Sequence, residues 1–123
     1  MLGTFLLSSG YHDAYYLQAM KVRRLIKNEF DNAFEQCDVL LGPTTPAPAF
    51  KLGATSDPLA MYLNDTYTVN ANITGHCAIS VPVGRTTVEG SVLPIGLQLQ
   101  AQAFNEASLF RAAGVLETLD ESF

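Results

Sequence analysis

The sequence predicts an α/β fold in which helices flank a small β-sheet. The predicted elements follow the order helix, strand, helices, hairpin and helix, and they supply only about three strands. Hydrophobic residues make up 48% of the 123 residues, whereas charged residues make up 15%. This length suffices for one domain, but small folds leave much of their surface exposed. We therefore expect so apolar a chain to bury itself against something else or to belong to a larger fold.

The first predicted helix covers residues 11–37. Asp13 is a candidate N-cap, and Gly10 interrupts whatever precedes it. Apolar residues recur at three- and four-residue steps and form one stripe: Val22, Leu25, Ile26, Phe30, Ala33, Phe34 and Cys37. Four aromatic residues at helical spacing are most simply assigned to the core: Tyr15, Tyr16, Phe30 and Phe34.

A short apolar strand, Val39 to Leu41, follows and leads into the proline-rich loop GPTTPAPAF. A strand that is apolar throughout is typical of one buried on both faces of a parallel or mixed sheet. Proline fixes φ and removes amide donors, so we expect a stiff loop. Stiff loops at the ends of central strands are common places for sites in open α/β sheets.

Two short helices are predicted next, and a hairpin and a final helix follow them. Asp57 and Pro58 fit the start of one helix, and the second runs from Asp65 or Thr66 to Gly75. The segment AISVPVG is a β-branched strand, and a Gly90–Ser91 turn separates it from its partner. That partner alternates Leu93, Ile95, Leu97 and Leu99 against Gly96, Gln98 and Gln100. The last helix has Asn105 as its cap, and its inward residues are Leu109, Ala112, Ala113 and Leu116.

The charge pattern excludes a nucleic-acid-binding surface as the expected function. The net charge is −5 and the pI is about 4.7, whereas such surfaces need clustered Lys and Arg. One basic cluster lies within two predicted helical turns, and we expect it to form a solvated face: Lys21, Arg23, Arg24 and Lys27. The apolar run in MLGTFLLSSG is too short for a membrane span and has no positive residues before it.

His76 and Cys77 are adjacent, which raises the question of a catalytic thiol and its base. Neighbouring side chains of an extended segment point to opposite faces, whereas a nucleophile and its base must approach within about 3 Å. A Cys–His pair is therefore disfavoured, and His12 has no partner motif. Cys37 and Cys77 also lack metal-ligand spacing, so we expect two buried thiols in a reducing cytoplasm.

Several blocks of the sequence resemble the C-terminal part of the amidase signature family. Among its members, the similarity is greatest to the glutamine-hydrolysing subunits of tRNA-dependent amidotransferases. The family blocks read Y-x-D-A-Y-Y, D-V-[LI]-L-G-P-T-x-P, M-Y-L-x-D-x-[FY]-T-V-x-A-N, A-I-S-V-P and L-P-x-G-L-Q. This chain has YHDAYY, DVLLGPTTP, MYLNDTYTVNAN, AISVP and LPIGLQ in the same order. The resemblance covers essentially the whole chain.

The resemblance implies a mixed β-sheet flanked by helices and the hydrolysis of glutamine to supply ammonia for transamidation of mischarged tRNA. Family members use a Ser–cis-Ser–Lys triad whose Gly/Ser-rich signature precedes the blocks matched here. We therefore expect no catalytic residue in this chain. The resemblance also implies the B and C subunits as partners, ATP and Mg²⁺ used through one of those partners, and a cytoplasmic location. No cofactor, metal, nucleic acid or membrane is expected to bind this segment itself.

Three residues are carried over from the family as candidate substrate-binding residues. Asp65 matches the acidic residue that receives the α-ammonium group of glutamine, and a carboxylate suits this because charge-assisted hydrogen bonds are strong. The alternative is that Asp65 only caps the helix that begins at Thr66. Thr44 and Gln98 lie near the active-site side in such folds, although Gln98 could equally be a strand residue that faces solvent.

In the family, the position of Met1 follows a basic pair, so Met1 resembles an internal residue. We therefore expect residues 1–123 to be the C-terminal portion of an incomplete amidase domain. Two positions depart from the family pattern: Asn70 stands where proline is frequent, and His76–Cys77 stands where Leu-Pro is common. Two alternatives remain open, a part of an amidase that acts on another small amide and a non-catalytic interaction module.

Overall fold

The computed structural model of the chain describes residues 15–54 and 58–120. Seven elements follow one another within these residues: α1 (Leu17–Phe34), β1 (Val39–Pro43), α2 (Pro58–Asn64), α3 (Val69–Thr74), β2 (Cys77–Val88), β3 (Ser91–Ala101) and α4 (Glu106–Asp120). The predicted element order and the α/β class are confirmed. The predictions for Gly10, His12, Asp13 and Asp57 fall outside the described residues.

The three described strands form one sheet in the order β1-β3-β2. Both pairs are antiparallel, with Leu41 opposite Leu99 in one pair and Ile79 opposite Leu99 in the other. The parallel or mixed neighbours expected for β1 are therefore not found among the described strands. The expected burial of β1 on both faces is wrong as well: none of its residues is buried and Leu41 is 60% exposed, because β1 lies at the edge of the described sheet.

The hairpin is longer than predicted, and its turn lies one residue earlier. Val88 and Ser91 pair with each other, so Glu89 and Gly90 form the turn rather than Gly90 and Ser91. Both turn residues have positive φ, +49° and +82°. Two consecutive positive φ values are typical of a type I′ turn, whose twist matches that of the flanking strands.

One face of the sheet packs against α4 and forms the core. Its buried residues are Val81, Leu99, Ala101, Leu109 and Ala113, and partly buried residues packed against them include Ala112 and Leu116. The predicted inward face of the last helix is thereby confirmed. Leu99 is only 1% exposed. It lies on the central strand, where neighbouring strands and α4 can all cover it.

Residues of α3 and of the turn before it lie over the opposite face of the sheet, and α3 in turn packs against α1. The predicted stop at Gly75 is confirmed, since Gly75 adopts a left-handed conformation with φ +77° and its N–H donates to Ala71 O. The predicted start at Asp65 or Thr66 is wrong, because α3 begins at Val69. Turns through residues 65–68 take the place of the expected first helical turn.

The predicted apolar stripe of α1 is only partly buried. Phe34 is buried and Phe30 half-buried, but Tyr15 and Tyr16, expected in the core, are exposed, as are Val22 and Leu25. The physical reason is length. At about 1.5 Å per residue, the six residues of α3 are too short to cover the eighteen residues of α1.

Candidate functional site

A bridge between two hydroxyl groups crosses the polar face of the sheet. Thr44, just after β1, and Ser80, in β2, have their hydroxyl oxygens 2.7 Å apart. The backbone N–H of Thr44 donates to the carbonyl of Gly96 in the central strand at 3.1 Å. A Cβ atom on Gly96 would lie 2.9 Å from both hydroxyl oxygens. Glycine is therefore needed at this position for the bridge to pass over β3.

Two glutamine side chains lie beside this bridge on the same face of β3. Gln98 pairs with Ser80 across the sheet, and the Gln100 amide Nε2 donates to the Gln98 carbonyl Oε1 at 2.9 Å. Gln98 is 7% exposed and Gln100 8%. The alternative in which Gln98 faces solvent is therefore wrong, because the turn before α3 and α3 itself lie over this part of the sheet.

The polar face of the sheet and the α3 region enclose an open hollow of about 420 Å³. Its polar lining residues are Thr44, Thr68, Asn72, His76, Ser80 and Gln98. A smaller hollow of about 120 Å³ lies on the other side of Gln98, beside Tyr67, Asn70 and Gln100. Gln98 lines both hollows, so it is the central polar residue of this face. We call the larger one the Gln98 hollow.

Asp65 lies in a different cavity, of about 520 Å³, lined by Phe50, Met61, Tyr62, Asn64 and Asp65 itself. Its backbone carbonyl accepts hydrogen bonds from the Val69 N–H and the Thr68 hydroxyl. Among the described residues, no hydrogen bond involves the Asp65 carboxylate, so the alternative of a side-chain cap finds no support in the geometry. Asp65 is exposed, in a cavity that two aromatic rings also line.

The structure thus brings Thr44 and Gln98 together and does not bring Asp65 to them. Sequence reasoning did not include Ser80, Gln100 and Asn72 in this region. The sequence does contain a signal for Ser80. In a strand with the sequence AISVP, the two-residue period places the Ser80 side chain on the face of the sheet opposite to Ile79 and Val81. The roles assigned to Asp65, Thr44 and Gln98 in substrate binding stay predictions.

His76 and Cys77 have different partners, as expected for neighbours at the start of a strand. The His76 Nε2 lies 3.1 Å from the Asp31 carboxylate, and its ring is buried against Phe30 and Phe34, with centroids 5.7 and 5.0 Å away. The Cys77 thiol instead donates to the carbonyl of Gln102 at 3.0 Å. No described hydrogen bond joins the two side chains.

The expectation of two buried thiols needs correction. Cys37 and Cys77 are free, and each is half-buried rather than buried. Cys37 lies beyond the last turn of α1, where its thiol donates to the Ala33 carbonyl at 3.4 Å. Cys77 lies at the end of the sheet, where the turn after β3 covers its thiol only in part.

Asp31 joins α1 to the start of β2. Its carboxylate accepts two hydrogen bonds from Lys27 Nζ, at 2.7 and 2.8 Å, and lies beside His76. Hydrogen bonds from Lys27 first and from His76 second hold the pKa of the Asp31 carboxyl below its ordinary value. The basic cluster of α1 is therefore not wholly solvated, because Lys27 pairs with Asp31 and Arg23 donates to the Ile73 carbonyl of α3.

Among residues 15–54 and 58–120, no group of three or more His, Cys, Asp or Glu side chains could hold a metal ion. No described helix is long and apolar enough to cross a membrane.

Comparison with known proteins identifies the family. The sequence model of the amidase family matches residues 1–110. The A subunit of the glutamyl-tRNA(Gln) amidotransferase of Geobacillus thermodenitrificans is 58% identical over 118 residues, which are 95% of this chain and 24% of that protein. The corresponding protein of the same name from Anaeromyxobacter sp. strain K is 57% identical over 118 residues, with the same coverage.

A solved structure shows the same fold. The crystal structure of the A subunit of glutamyl-tRNA(Gln) amidotransferase from Thermotoga maritima matches with a TM-score of 0.74 and 44% sequence identity. The match covers 90% of this chain and 24% of that chain. The chain thus spans about a quarter of the length of the relatives it matches. It belongs to the amidase signature family and corresponds to the C-terminal part of the family's fold.

Proposed function

We propose that this chain is the C-terminal part of the A subunit of a tRNA-dependent amidotransferase. The observation that carries the proposal is 58% identity over 118 residues to the A subunit of a glutamyl-tRNA(Gln) amidotransferase. The whole protein would hydrolyse glutamine, so that water adds at the side-chain carbonyl and the C–N bond breaks to give glutamate and ammonia. The ammonia would convert Glu-tRNA(Gln) or Asp-tRNA(Asn) into Gln-tRNA(Gln) or Asn-tRNA(Asn).

In this proposal the chain contributes substrate binding and not the catalytic groups. Acyl transfer needs a nucleophile, a base and donors for the developing oxyanion. The Ser–cis-Ser–Lys triad would come from the missing N-terminal part of the same subunit. Residues 1–123 would then be an incomplete amidase domain that is inactive alone.

Asp65 is the residue that would select an amino acid over a plain amide. Its carboxylate is exposed in a cavity with Phe50 and Tyr62, and no described side chain competes for it. A carboxylate without a protein partner can accept charge-assisted hydrogen bonds from an α-ammonium group, and aromatic faces also attract a cation. The geometry supports this assignment better than the alternative of a helix cap.

The assembly would include the B and C subunits of the amidotransferase. ATP and Mg²⁺ would act in one of these partners. We propose a cytoplasmic location because transamidation acts on tRNA used in translation. Direct contact between this segment and nucleic acid is not proposed, since its net charge is −5.

A chimera tests the proposal directly. Residues 1–123 would replace the matching quarter of the Geobacillus thermodenitrificans protein, and that organism's partner subunits would complete the enzyme. We expect glutamine-dependent formation of Gln-tRNA(Gln) within about tenfold of the parent. A chimera that folds and hydrolyses other amides but not glutamine would indicate that the chain comes from a different amidase. A chimera that folds but hydrolyses no amide would favour a non-catalytic module.

Asp65→Asn in this chimera tests the assigned role. We expect kcat/KM for glutamine to fall by about 10- to 100-fold, because a hydrogen bond to a charged group contributes about 1.5–3 kcal/mol. The kcat/KM for propionamide, which lacks the α-amino group, should change much less. Asp38→Asn, another acidic residue outside this cavity, is the matched control. Equal losses on both substrates would contradict the assignment.

A further inference from the structure

We propose that a groove along α1 is the docking surface for an acidic amphipathic helix of a partner subunit. The assignment rests on the proposed function, which supplies the partner subunits, and adds a surface to it. The groove measures about 920 Å³ and shares no lining residue with the Gln98 hollow or the Asp65 cavity. The residues that would contact the docked helix are Leu17, Met20, Lys21, Arg24 and Leu25.

The charge of the groove is opposite to that of the chain. Four of the seven Lys and Arg residues line it, beside a single carboxylate, that of Asp31, although the net charge of the chain is −5. Two of these cations have partners within the chain, since Arg23 donates to a carbonyl of α3 and Lys27 pairs with Asp31. Lys21 and Arg24 have no hydrogen bond or ion pair with any described residue. The groove therefore offers two free cations to an acidic partner.

The two free cations lie among exposed apolar side chains on one face of α1. Lys21 is three residues from Arg24 and four from Leu25, so these side chains are neighbours on the helix surface. Leu17 and Met20 extend the same face, and all three apolar side chains are exposed. From Leu17 to Leu25 this face is about 12 Å long at about 1.5 Å per residue, a little over two helical turns. A helix with apolar residues at three- and four-residue steps, flanked by Asp or Glu, is complementary to it.

The mixture of charged and apolar residues indicates an interface between subunits. The interior of a domain rarely takes up Lys or Arg side chains that have no partner. Interfaces between subunits combine an apolar centre with a polar rim, and complementary charges across them give specificity. A groove in which Leu25 lies beside Lys21 and Arg24 has this second composition. A nucleic acid would pair with the cations but leave Leu17 and Met20 uncovered, whereas an amphipathic helix covers both kinds of side chain.

Carbodiimide cross-linking tests the contact directly, in the chimera assembled with the partner subunits of Geobacillus thermodenitrificans. The reagent joins a Lys amine to a carboxylate in direct contact with it and leaves no spacer. Mass spectrometry should find Lys21 joined to an Asp or Glu residue of a partner subunit. Lys51 is the matched control, because it is exposed and pairs with Glu89 of the same chain. It should be joined to Glu89.

Charge reversal measures how much the groove contributes to assembly. The double variant Lys21→Glu, Arg24→Glu should bind the partner subunits about tenfold more weakly at low ionic strength, mainly through slower association. The difference should shrink as salt is added, because salt screens exposed charges. The matched control is Arg85→Glu with Arg111→Glu, which changes the net charge equally at exposed positions outside the groove. Binding kinetics measured by surface plasmon resonance should be unchanged in this control.

The outcomes separate the docking surface from the proposed function. A chimera that assembles and cross-links through Lys21, but does not hydrolyse glutamine, would support the surface and reject the glutaminase assignment. A cross-link from Lys21 to the rest of its own subunit would overturn the surface, because the groove would then be covered from within that subunit. Detection of the Lys51–Glu89 cross-link without any cross-link from Lys21 would overturn it too. Equal binding by the parent and the Lys21→Glu, Arg24→Glu variant, or equal weakening in both double variants, would also overturn it, even in a chimera that forms Gln-tRNA(Gln).

Discussion

The sheet and α4 differ sharply from the region formed by α1 and α2 in how they bury apolar side chains. Between β2, β3 and α4, the residues Val81, Leu99 and Leu109 are at most 3% exposed. On the other side, Leu25 and Tyr62 are 64% and 75% exposed, and Leu52 in the preceding loop is fully exposed. The first region closes its own core, whereas the second presents apolar surface that a neighbouring structure would have to cover. The first region is not covered throughout, since Phe104, Phe110 and Val115 beside or on α4 are also exposed, but it contains the buried cluster.

This difference predicts how the chain behaves alone. We expect no glutaminase activity and no cooperative two-state unfolding of the whole 123 residues, because the open region exposes large apolar patches. Hydrogen exchange should show protection in β2, β3 and α4 but little in α1 and α2, and the chain should self-associate. A sharp two-state melt of a monomer, with protection throughout α1, would abolish the distinction between the regions. Ammonia release from glutamine by the pure chain would contradict the assignment of catalysis to other sequence.

A pair of leucine substitutions sharpens the same comparison. Leu99→Ala in the chimera should lower the free energy of unfolding by about 2–5 kcal/mol, because it leaves a cavity in the closed core. Leu52→Ala should change it by less than about 0.5 kcal/mol if the loop stays exposed in the assembled enzyme. Thermal melting of both variants measures the difference. A large effect of Leu52→Ala would show instead that the rest of the protein covers this loop.

Polar contacts attach α1 to the rest of the chain together with the packing of Phe30 and Phe34 against His76, and the polar contacts predict a dependence on pH. The pKa of Asp31 is lowered in the folded state from 3.8, mainly by Lys27 and then by His76. A lowered folded-state pKa contributes stability above the unfolded pKa, and that stability is lost as pH falls through the folded pKa. Asp31 is half-exposed, so we expect a small effect, confined to pH below about 4.

Asp31→Asn is the variant that checks this. Melting temperatures of parent and variant should converge as the pH falls below about 4, and the parent should be slightly more stable near neutral pH. Glu29→Gln, on the same helix but without a described hydrogen bond, is the matched control. A constant difference between parent and Asp31→Asn at every pH would show that the carboxylate charge does not stabilise the attachment of α1.

The sequence predicted the closed region better than the open one, for a physical reason. Alternation and helical period report burial when both partners are in the chain, as they are for Leu99, Leu109 and Ala113. Tyr15 and Tyr16 show the same periodicity, but the short α3 cannot cover them. Periodicity indicates which face of a helix is apolar. It does not show whether the chain also contains the helix or strand that would cover that face.

The polar face was harder to predict because it depends on contacts distant in sequence. Gln98 and Thr44 were proposed from the family resemblance, yet the burial of Gln98 requires α3 to lie over β3. Ser80 becomes relevant only through its bridge to Thr44, 36 residues away. The start of α3 at Val69 also differs from the predicted start, because the N–H groups of Asp65 and Thr66 donate three residues back, in the turns that follow α2.

Cys77→Ala is expected to have the smallest effect, and it tests which region the thiol belongs to. Cys77 packs at the edge of the closed core, and its thiol donates to the carbonyl of Gln102, away from His76 and Asp31. The chimera with Cys77→Ala should therefore hydrolyse glutamine within a few-fold of the parent, since only a half-buried packing group is removed. Cys37→Ala is the matched control for general loss of a thiol. A nucleophile behaves differently, because its removal lowers kcat by several orders of magnitude. A loss of that size for Cys77→Ala, but not for Cys37→Ala, would place a catalytic group at the border of the closed core and reverse the assignment of the two regions.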